Sequence, residues 1–410
     1  MTNKLCAALL LSWLFLPGCA RSVSLSVSAP TVMPAVPARP VPPGHTPWHL
    51  TLRPDQLCPA TGQLALERNV PAALQLFDWR AGKLLAGFAL ATPTYPGTLF
   101  DANLPYGNVS WSPEGRWVAF TQFPSTAPPD SLADTDEPSN CVVFDTQTGR
   151  GREIGAPEWD VLAVAFAPAS PQLYLLADRY RDGRDLRFLR YDPSSGEITE
   201  LGGKTLEGKD AAPNVDPILV PGATGLFYCY WPSPAPGEGG VWSVDTAGKL
   251  QRLVPQERLE GELGTTFSGN EPLLCAADGG GSVTDLYLEF WPVTAAKLTK
   301  IVRVSLNDGS VRRVLTCKGG AVGVKLAPHD NGEIAVSVGA QGTNSDPVFD
   351  KAGVYLTGRD LEKPRFVSPA GGGSLLWVDA DHLLYFRKDF QLWKLNVRDG
   401  TSEIVPLPAT

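Results

Sequence analysis

The chain has 410 residues and a net charge of −8, from 35 basic and 43 acidic side chains. It contains no block of lysine and arginine such as a surface that follows nucleic-acid phosphates needs, so nucleic acid is excluded as an expected partner. Glycine (41) and proline (38) are abundant, while charged residues make up only 19%, a composition typical of many short strands joined by tight turns.

Residues 1–18 have the order of a bacterial secretory signal, in which a basic start precedes an apolar core and small residues at the cut. Lys4 supplies the charge and the run 5–16 is apolar. This run is shorter than the ~20 residues that span a bilayer, which argues against a membrane-spanning anchor. An ordinary signal-peptidase site is the other alternative, but small residues are poorly placed for it.

The tetrad 16–19, Leu-Pro-Gly-Cys, resembles the lipobox of bacterial lipoproteins. The resemblance implies that residues 1–18 are a lipoprotein signal peptide and that Cys19 is diacylated and becomes the first mature residue. We therefore expect a lipid-anchored protein of the bacterial cell envelope, with the membrane as one partner. Ala20 after the cysteine favours the outer membrane under the usual sorting pattern.

Residues 19–46 are predicted to be the lipidated cysteine followed by a disordered tether. The segment 20–46 is rich in serine and valine and contains six prolines without apolar periodicity, and proline excludes regular helix. In polyproline II geometry, at ~3.1 Å per residue, such a tether reaches up to ~80 Å.

An internal repeat begins at residue 47 and predicts the fold of the rest of the chain. Its clearest copy, 109–121, has alternating apolar residues on both sides of Ser-Pro-Glu-Gly, which fits a type I turn. Turn prolines recur at positions 59, 113, 168, 221 and 328, and degenerate copies at 266–275 and 377–386 complete the series.

A second hairpin with glycine in its turn follows each first one. Two hairpins make a four-stranded unit, and radial repetition of such a unit is a β-propeller. The sequence therefore predicts an all-β fold, a β-propeller of seven four-stranded blades over residues 47–410, with six or eight blades as the alternatives.

Two stretches of the repeat are similar to the TolB-like propeller family. Residues 177–186, Ala-Asp-Arg-Tyr-Arg-Asp-Gly-Arg-Asp-Leu, resemble its Ser-Asp-Arg-x-Gly hairpin, and residues 107–121 resemble its Trp-Ser-Pro-Asp-Gly hairpin. The resemblance implies a propeller and a binding role in the bacterial envelope.

The long insertions are predicted to lie on one face of this propeller. In a four-stranded blade, the link between the second and third strands and the link to the next blade share a face, which we call the connection face. The two hairpin turns lie on the opposite, hairpin face. The insertions expected on the connection face are 91–107, 122–140, 202–216, 231–240, 278–300 and 339–353. Loops on a rigid scaffold are where binding usually resides, so we predict that the connection face is functional.

The candidate binding residues on that face are an acidic cluster and two tryptophans. Calcium needs six to eight oxygen ligands, but the cluster lacks the Asp-x-Asp-x-Asp-Gly spacing, so a solvated acidic loop is favoured and no metal is predicted. The tryptophans, each followed by proline, suit an aromatic rim for sugar or peptide, or else pack against neighbouring loops. These residues are Asp130, Asp134, Asp136, Glu137, Trp231 and Trp291.

No catalytic signature is present, and we predict neither catalytic residues nor a cofactor. The chain lacks a Gly-x-Ser-x-Gly elbow, an HExxH pair and a phosphate-binding glycine loop. His329 and His382 fall in turns of the hairpin face. The predicted function is a non-catalytic scaffold that binds an envelope protein. The alternative is a propeller enzyme or small-molecule binder acting on a glycan or peptide in the central funnel.

Five cysteines remain in the predicted propeller, and no CxxC pair occurs among them. Cys229 and Cys275 lie in strand-like apolar runs, so we expect them to be small buried hydrophobic residues. The disulfide state of the set is left open by the sequence. The five are Cys58, Cys141, Cys229, Cys275 and Cys317.

Overall fold

The computed structural model describes residues 25–33, 52, 54–68, 73–89, 109–122, 140–179, 185–205, 220–221, 226–230, 239–245, 248–264, 273–277, 283–290, 298–318, 324–370, 373–387 and 391–407. These residues form an all-β structure of seven antiparallel sheets with one α-helix. We number the sheets in chain order.

The N-terminal segment contributes two short strands, β1 (Ser26–Val27) and β2 (Thr31–Val32), to sheet 2. Sheet 1 contains β3 (Leu64–Arg68), β4 (Ala73–Asp78) and β5 (Lys83–Ala89). The other strands of sheet 2 are β6 (Ser110–Trp111), β7 (Trp117–Gln122), β8 (Asn140–Asp145) and β9 (Arg150–Gly155). Sheet 3 contains β10 (Trp159–Phe166), β11 (Leu173–Arg179), β12 (Asp185–Asp192) and β13 (Glu197–Thr205).

Sheet 4 contains β14 (Val220–Pro221), β15 (Leu226–Tyr230), β16 (Gly240–Val244) and β17 (Leu250–Pro255), and α1 (Gln256–Leu263) follows it. Sheet 5 contains β18 (Leu273–Ala277), β19 (Asp285–Phe290), β20 (Leu298–Ser305) and β21 (Val311–Lys318). Sheet 6 contains β22 (Val324–Pro328), β23 (Ile334–Val338), β25 (Gly353–Thr357) and β26 (Arg365–Ser368), while β24 (Ser345–Asp346) pairs with β21 of sheet 5. Sheet 7 contains β27 (Leu375–Trp377), β28 (His382–Phe386), β29 (Leu392–Asn396) and β30 (Ser402–Val405).

The predicted second hairpins are confirmed by strand pairs that close on left-handed glycines. Gly149 has φ 71°, Gly196 has φ 79° and Gly400 has φ 75°, conformations that glycine adopts without steric cost. In each of these turns the glycine N–H donates to the carbonyl four residues earlier, at 2.9, 2.7 and 2.9 Å respectively. The glycine spacing in the sequence therefore reflects a real conformational requirement.

The predicted Ser-Pro-Glu-Gly turn is also confirmed, between β6 and β7. The Ser112 hydroxyl accepts a hydrogen bond from the Trp117 N–H at 2.9 Å. Gly115 has φ 73°, and its N–H donates to the Ser112 carbonyl at 2.9 Å. Serine at the first position and glycine at the last thus each serve the turn geometry.

The first hairpin of the fifth unit is displaced from its predicted place. We expected its turn at 266–269 and an insertion at 278–300 with room for a strand inside it. Instead β18 is the first strand of sheet 5, since it lies against β22, the first strand of sheet 6, and residues 278–284 link it to its partner β19. The helix α1 occupies residues between the last strand of sheet 4 and the first strand of sheet 5, and this insertion moves the hairpin along the chain.

Seven clusters of buried apolar side chains join the sheets into a closed ring. Each cluster combines residues of two sheets that are consecutive in the chain, from sheets 1 and 2 through sheets 6 and 7. The seventh cluster joins the ends of the series, because Leu64 and Phe77 of sheet 1 lie in it with Leu384 and Phe386 of sheet 7. This arrangement of antiparallel sheets is consistent with a β-propeller.

Tryptophans at equivalent places in the repeat add polar links between neighbouring sheets. The Trp111 indole N–H of sheet 2 donates to the Gln56 carbonyl, in the segment before sheet 1, at 3.1 Å. The Trp377 indole N–H of sheet 7 donates to the Ala327 carbonyl of sheet 6 at 2.7 Å. Burying an indole without a partner costs free energy, so these bonds favour one relative placement of the sheets.

Residues 25–33 differ from the predicted disordered tether. They lie on the outer edge of sheet 2, where β1 and β2 pair antiparallel with β9. An exposed edge strand has unpaired N–H and C=O groups that an extended segment can satisfy, and this pairing is the physical reason for the difference. The other residues of 19–46, including Cys19, lie outside the part that the structure describes.

The two hairpin turns of sheet 2 are held together by an ion pair that makes stability depend on pH. The Arg116 Nη2 atom lies 2.8 Å from Asp145 Oδ2, and the Gln147 N–H donates to Asp145 Oδ1 at 2.9 Å. Burial alone raises the pKa of Asp145, but the bonds from Arg116 and from the turn N–H groups outweigh it, so the pKa is lowered.

We expect Asp145→Asn to destabilise the protein at neutral pH by about 1–3 kcal/mol. Because the folded pKa is depressed, the contribution of Asp145 is present above its unfolded pKa near 4 and is lost as the pH falls through the folded pKa. Urea unfolding of both proteins at several pH values measures this. The difference between wild type and Asp145→Asn should shrink toward about pH 3, and a difference independent of pH would contradict the role of the ionised carboxylate.

Candidate functional site: the connection face

The connection face is defined by where second strands end and third strands begin. The terminal pairs are Gln122 with Asn140 in sheet 2 and Tyr230 with Gly240 in sheet 4. Phe290 pairs with Lys300 in sheet 5. Since fourth strands also run toward this end before the chain enters the next sheet, one face of the ring carries all these connections.

The predicted site residues lie between or beside these strand ends but outside the described residues. Asp130, Asp134, Asp136 and Glu137 belong to the stretch 123–139 between β7 and β8. Trp231 directly follows β15 and Trp291 directly follows β19. The acidic cluster and the aromatic rim therefore stay predictions, and what the structure establishes is the position of the strands that flank them.

The insertion 339–353 of sheet 6 links β23 to β25, as predicted, and part of it packs against sheets 5 and 6. Its β24 pairs with β21, with Ser345 opposite Cys317. Phe349 is fully buried in the cluster of sheets 5 and 6, and its ring centroid lies 5.1 Å from that of Tyr355. The burial of the Phe349 side chain holds this segment against sheets 5 and 6. The neighbouring Val348 remains exposed.

Tyr355 fixes the end of the same insertion. Its hydroxyl donates to the Lys351 carbonyl at 2.7 Å and accepts from the Lys351 N–H at 3.0 Å. The Lys351 ammonium lies 3.6 Å from the centroid of the Phe366 ring, within cation–π range. These contacts fix the end of the insertion, while Val348 and Asp350 remain exposed.

The helix α1 is a feature of the connection face that the sequence analysis missed. Leu259 and Leu263, four residues apart, are buried in the cluster of sheets 4 and 5. Gly264 ends the helix with φ 64°. The leucine spacing and this terminal glycine are helix signals, but the helix has only eight residues and the strand period obscured it.

Polar contacts attach α1 to its neighbours. The Gln256 N–H donates to the Gly239 carbonyl at 2.9 Å, and the Arg313 N–H donates to Glu262 Oε1 at 2.9 Å. Lys300 Nζ donates to the Leu263 carbonyl. Burial lowers the pKa of Lys300, and the nearby charge of Arg313 acts in the same direction. These bonds fix the helix against sheets 4 and 5, and the side chains of Glu257 and Arg258 on it are exposed.

A polar depression of about 290 Å³ lies on the opposite, hairpin face, in sheet 7. Its lining residues are His382, Lys394, Asn396, Thr401, Ser402 and Glu403. The charged groups in and around it are paired: Lys394 with Glu403, and His382 Nδ1 with Asp379 Oδ1 at 2.8 Å. Burial raises the pKa of Asp379, but the Asp381 N–H and the His382 bond outweigh it and lower the pKa. The first pair links β29 to β30, and the second lies at the turn between β27 and β28.

Three cysteines are buried and form no disulfide: Cys58, Cys141 and Cys317. Burial raises the pKa of the Cys141 thiol, so its reactive thiolate is disfavoured. Cys229 lies in β15 and Cys275 in β18.

Among the described residues no group of three or more His, Cys, Asp or Glu side chains could hold a metal ion. Nor does the described part of the chain contain a helix long and apolar enough to cross a membrane.

Comparison with known proteins gives distant structural likenesses. No family model and no curated protein matches the chain. An oligogalacturonate lyase from Vibrio parahaemolyticus is 12% identical with a TM-score of 0.48, covering 93% of this chain and 96% of that chain. A prolyl endopeptidase is 15% identical with a TM-score of 0.49, covering 94% and 50%. TolB from Acinetobacter baumannii is 14% identical with a TM-score of 0.39, covering 81% and 75%. Likeness at this level carries no activity, ligand or partner over to this chain.

Proposed function

We propose that the chain is a lipid-anchored protein of the bacterial cell envelope, held in the outer membrane through Cys19. Residues 47–410 form a seven-bladed β-propeller in this proposal. The propeller is a non-catalytic module that binds an envelope protein through its connection face.

The observation that supports this proposal best is the shared position of the insertions. In sheets 2, 4 and 5 the links between second and third strands leave from equivalent strand ends, and α1 lies at the same end of sheet 4. On the opposite face, several of the described turns are short and end on a glycine with positive φ, among them those of Gly115, Gly149 and Gly196. A rigid ring with variable segments concentrated on one side suits recognition of a partner on that side.

The lipid anchor is supported by the sequence order of residues 1–19. The basic start, the apolar run and the Leu-Pro-Gly-Cys tetrad occur in the order that export and lipidation require. We expect mass spectrometry of the protein from bacterial envelopes to find a mature chain beginning at acylated Cys19. We expect Cys19→Ser to abolish membrane association, and unchanged association of this variant would contradict the anchor.

The partner-binding proposal is tested by site-specific photo-cross-linking in cells. A photoreactive residue is placed at Glu158, an exposed position between β9 and β10 on the connection face, or at Gln147, an exposed turn position of the same sheet on the hairpin face. We expect a specific protein adduct from position 158 and none from position 147.

A second variant tests whether the insertion of sheet 2 takes part. Residues 124–138 are replaced by a short Gly-Ser loop in the protein that carries the photoreactive residue at position 158. We expect the adduct to be lost while thermal unfolding is unchanged. Absence of any protein adduct in either form would reject the scaffold proposal and favour the glycan or peptide alternative, which binding screens then test.

A further inference from the structure

The pairing of residues 25–33 with sheet 2 determines where the anchored end of the chain leaves the ring. Ser26 lies opposite Gly155 and Val27 opposite Ile154, while Thr31 lies opposite Gly151. The segment therefore runs antiparallel to β9, and its N-terminal end lies beside the end of β9 that leads into sheet 3. That end belongs to the connection face.

Several contacts hold this segment in place. The Ser26 hydroxyl donates to the Gly155 carbonyl at 3.0 Å. The Ser28 N–H donates to the Glu153 carbonyl at 2.9 Å, and the Glu153 N–H donates to the Ser28 hydroxyl at 2.8 Å. The side chains of Leu25 and Val27 pack against the cluster of sheets 2 and 3. The segment thus uses both backbone pairing and apolar burial.

Sheet 2 also has a gap into which Met33 fits. Gly151 lies in β9, and a Cβ added there would come within 2.5 Å of the Met33 sulfur. Met33 packs against the cluster of sheets 1 and 2. Pro30, which lacks an N–H, falls between β1 and β2, where the pairing is interrupted. The residue types on both sides match the docked arrangement.

The docked segment leaves little free chain between the ring and Cys19. Five residues lie between Cys19 and Leu25, which makes six Cα-to-Cα steps, so the Cα of Cys19 is held within ~20 Å of the edge of sheet 2, at ~3.4 Å per extended step. A tether that began at residue 46 would instead reach up to ~80 Å. To bring Cys19 to the hairpin face, the short segment before Leu25 would have to run back along β9, whose six residues span ~17 Å. That would use most of the ~20 Å available between Cys19 and Leu25.

We infer that the segment 25–33 is a strap that turns the connection face toward the lipid bilayer and holds it close to the membrane. This inference rests on the proposed lipid anchor at Cys19. It specifies the partner class of the proposed function: a protein embedded in the membrane or bound at its surface, which meets the connection face there. The hairpin face points away from the lipid.

Hydrogen exchange on the whole protein tests the strap itself. We expect slow amide exchange in residues 25–33 of the wild type. The double variant Val27→Asp/Ser28→Pro removes an apolar contact, the Ser28 N–H and its hydroxyl, so we expect exchange in this segment to accelerate at least tenfold. Ser28→Thr retains both polar groups and is the matched control. Fast exchange in the wild type would overturn the inference.

Energy transfer to lipid tests the orientation. A donor dye is attached at position 158 or position 147 of the acylated protein in phosphatidylethanolamine/phosphatidylglycerol vesicles that contain a headgroup-labelled acceptor lipid. We expect clearly greater transfer from position 158 than from position 147, and we expect the double variant to lose this contrast. Equal transfer from both positions in the wild type, or a contrast that the double variant retains, would overturn the inference.

Failure of the anchor is distinguished from failure of the strap by mass spectrometry of the same preparation. If Cys19 carries no acyl chains, the proposed anchor fails. The protein is then coupled through the Cys19 thiol to a maleimide lipid, and the comparison of positions 158 and 147 is repeated. If the strap orients the ring, energy transfer from position 158 should still exceed that from position 147 in the maleimide-coupled protein. Equal transfer would reject the strap independently of natural lipidation.

Discussion

Truncating Phe77 to alanine should lower the free energy of unfolding by about 3–5 kcal/mol, the range for removing a buried phenylalanine. Phe77 is fully buried in the cluster that joins sheets 1 and 7. Its loss leaves a cavity where the ring closes, and the two sheets that line it lie at opposite ends of the described series. Urea unfolding followed by tryptophan fluorescence measures the change.

The matched control is Ile404→Ala on β30, the outer strand of sheet 7. Ile404 is 50% exposed, so this truncation should change stability by no more than about 0.5 kcal/mol. A double-mutant cycle of Phe77→Ala with Leu384→Ala should give a coupling energy of at least 0.5 kcal/mol, since both residues belong to one cluster. Additive effects would contradict energetic coupling between Phe77 and Leu384 across this junction.

Gly353→Ala should destabilise the protein by more than about 3 kcal/mol, because two costs combine at this position. Gly353 begins β25 with φ 152°, a region essentially restricted to glycine. An added Cβ would come within 2.4 Å of the Ser368 carbonyl oxygen and 2.6 Å of the Phe366 ring. A carbonyl within a strand pair cannot move away without breaking the pair.

Gly149→Ala separates these two costs. Gly149 has φ 71°, but a Cβ there meets no atom within 4 Å, so only the backbone penalty of about 1 kcal/mol is expected. Thermal and urea unfolding of the two variants measure the difference. Similar losses in both variants would mean that β26 yields to the new methyl group and that the approach of the two strands is not constrained.

The repeat was predictable from the sequence because turns impose local requirements. Gly115 and Gly149 adopt positive φ where the sequence places glycine at the end of a turn, and the strand pairs on both sides follow from that. The fifth unit was misplaced because α1 adds chain between sheets. A regular period does not encode such an insertion, although Leu259 and Leu263 carry a local helical signal.

The sequence was sufficient to predict which face of the ring carries the insertions. It was less informative about which residues of those insertions are accessible. Topology alone places the links between second and third strands together, and the described strand ends agree. Whether an insertion packs or remains available depends on contacts distant in sequence. Phe349 packs beside Tyr355, and Val27 packs against sheets 2 and 3. The contact of Phe349 does not follow from local propensity. Val27, in contrast, lies in the run 22–28, Ser-Val-Ser-Leu-Ser-Val-Ser, whose alternation of polar and apolar residues is a strand signal.

The junction of sheets 1 and 7 also constrains the order of events during biosynthesis. Phe77 and Leu384 share one cluster although about 300 residues separate them, and contacts so remote in sequence slow folding. The apolar side chains of sheet 1 stay uncovered on one side until residues 375–405 have emerged and paired. A newly made chain therefore stays incompletely folded through most of its synthesis. Loss of the last sheet by truncation would expose Leu64 and Phe77 to chaperones and proteases.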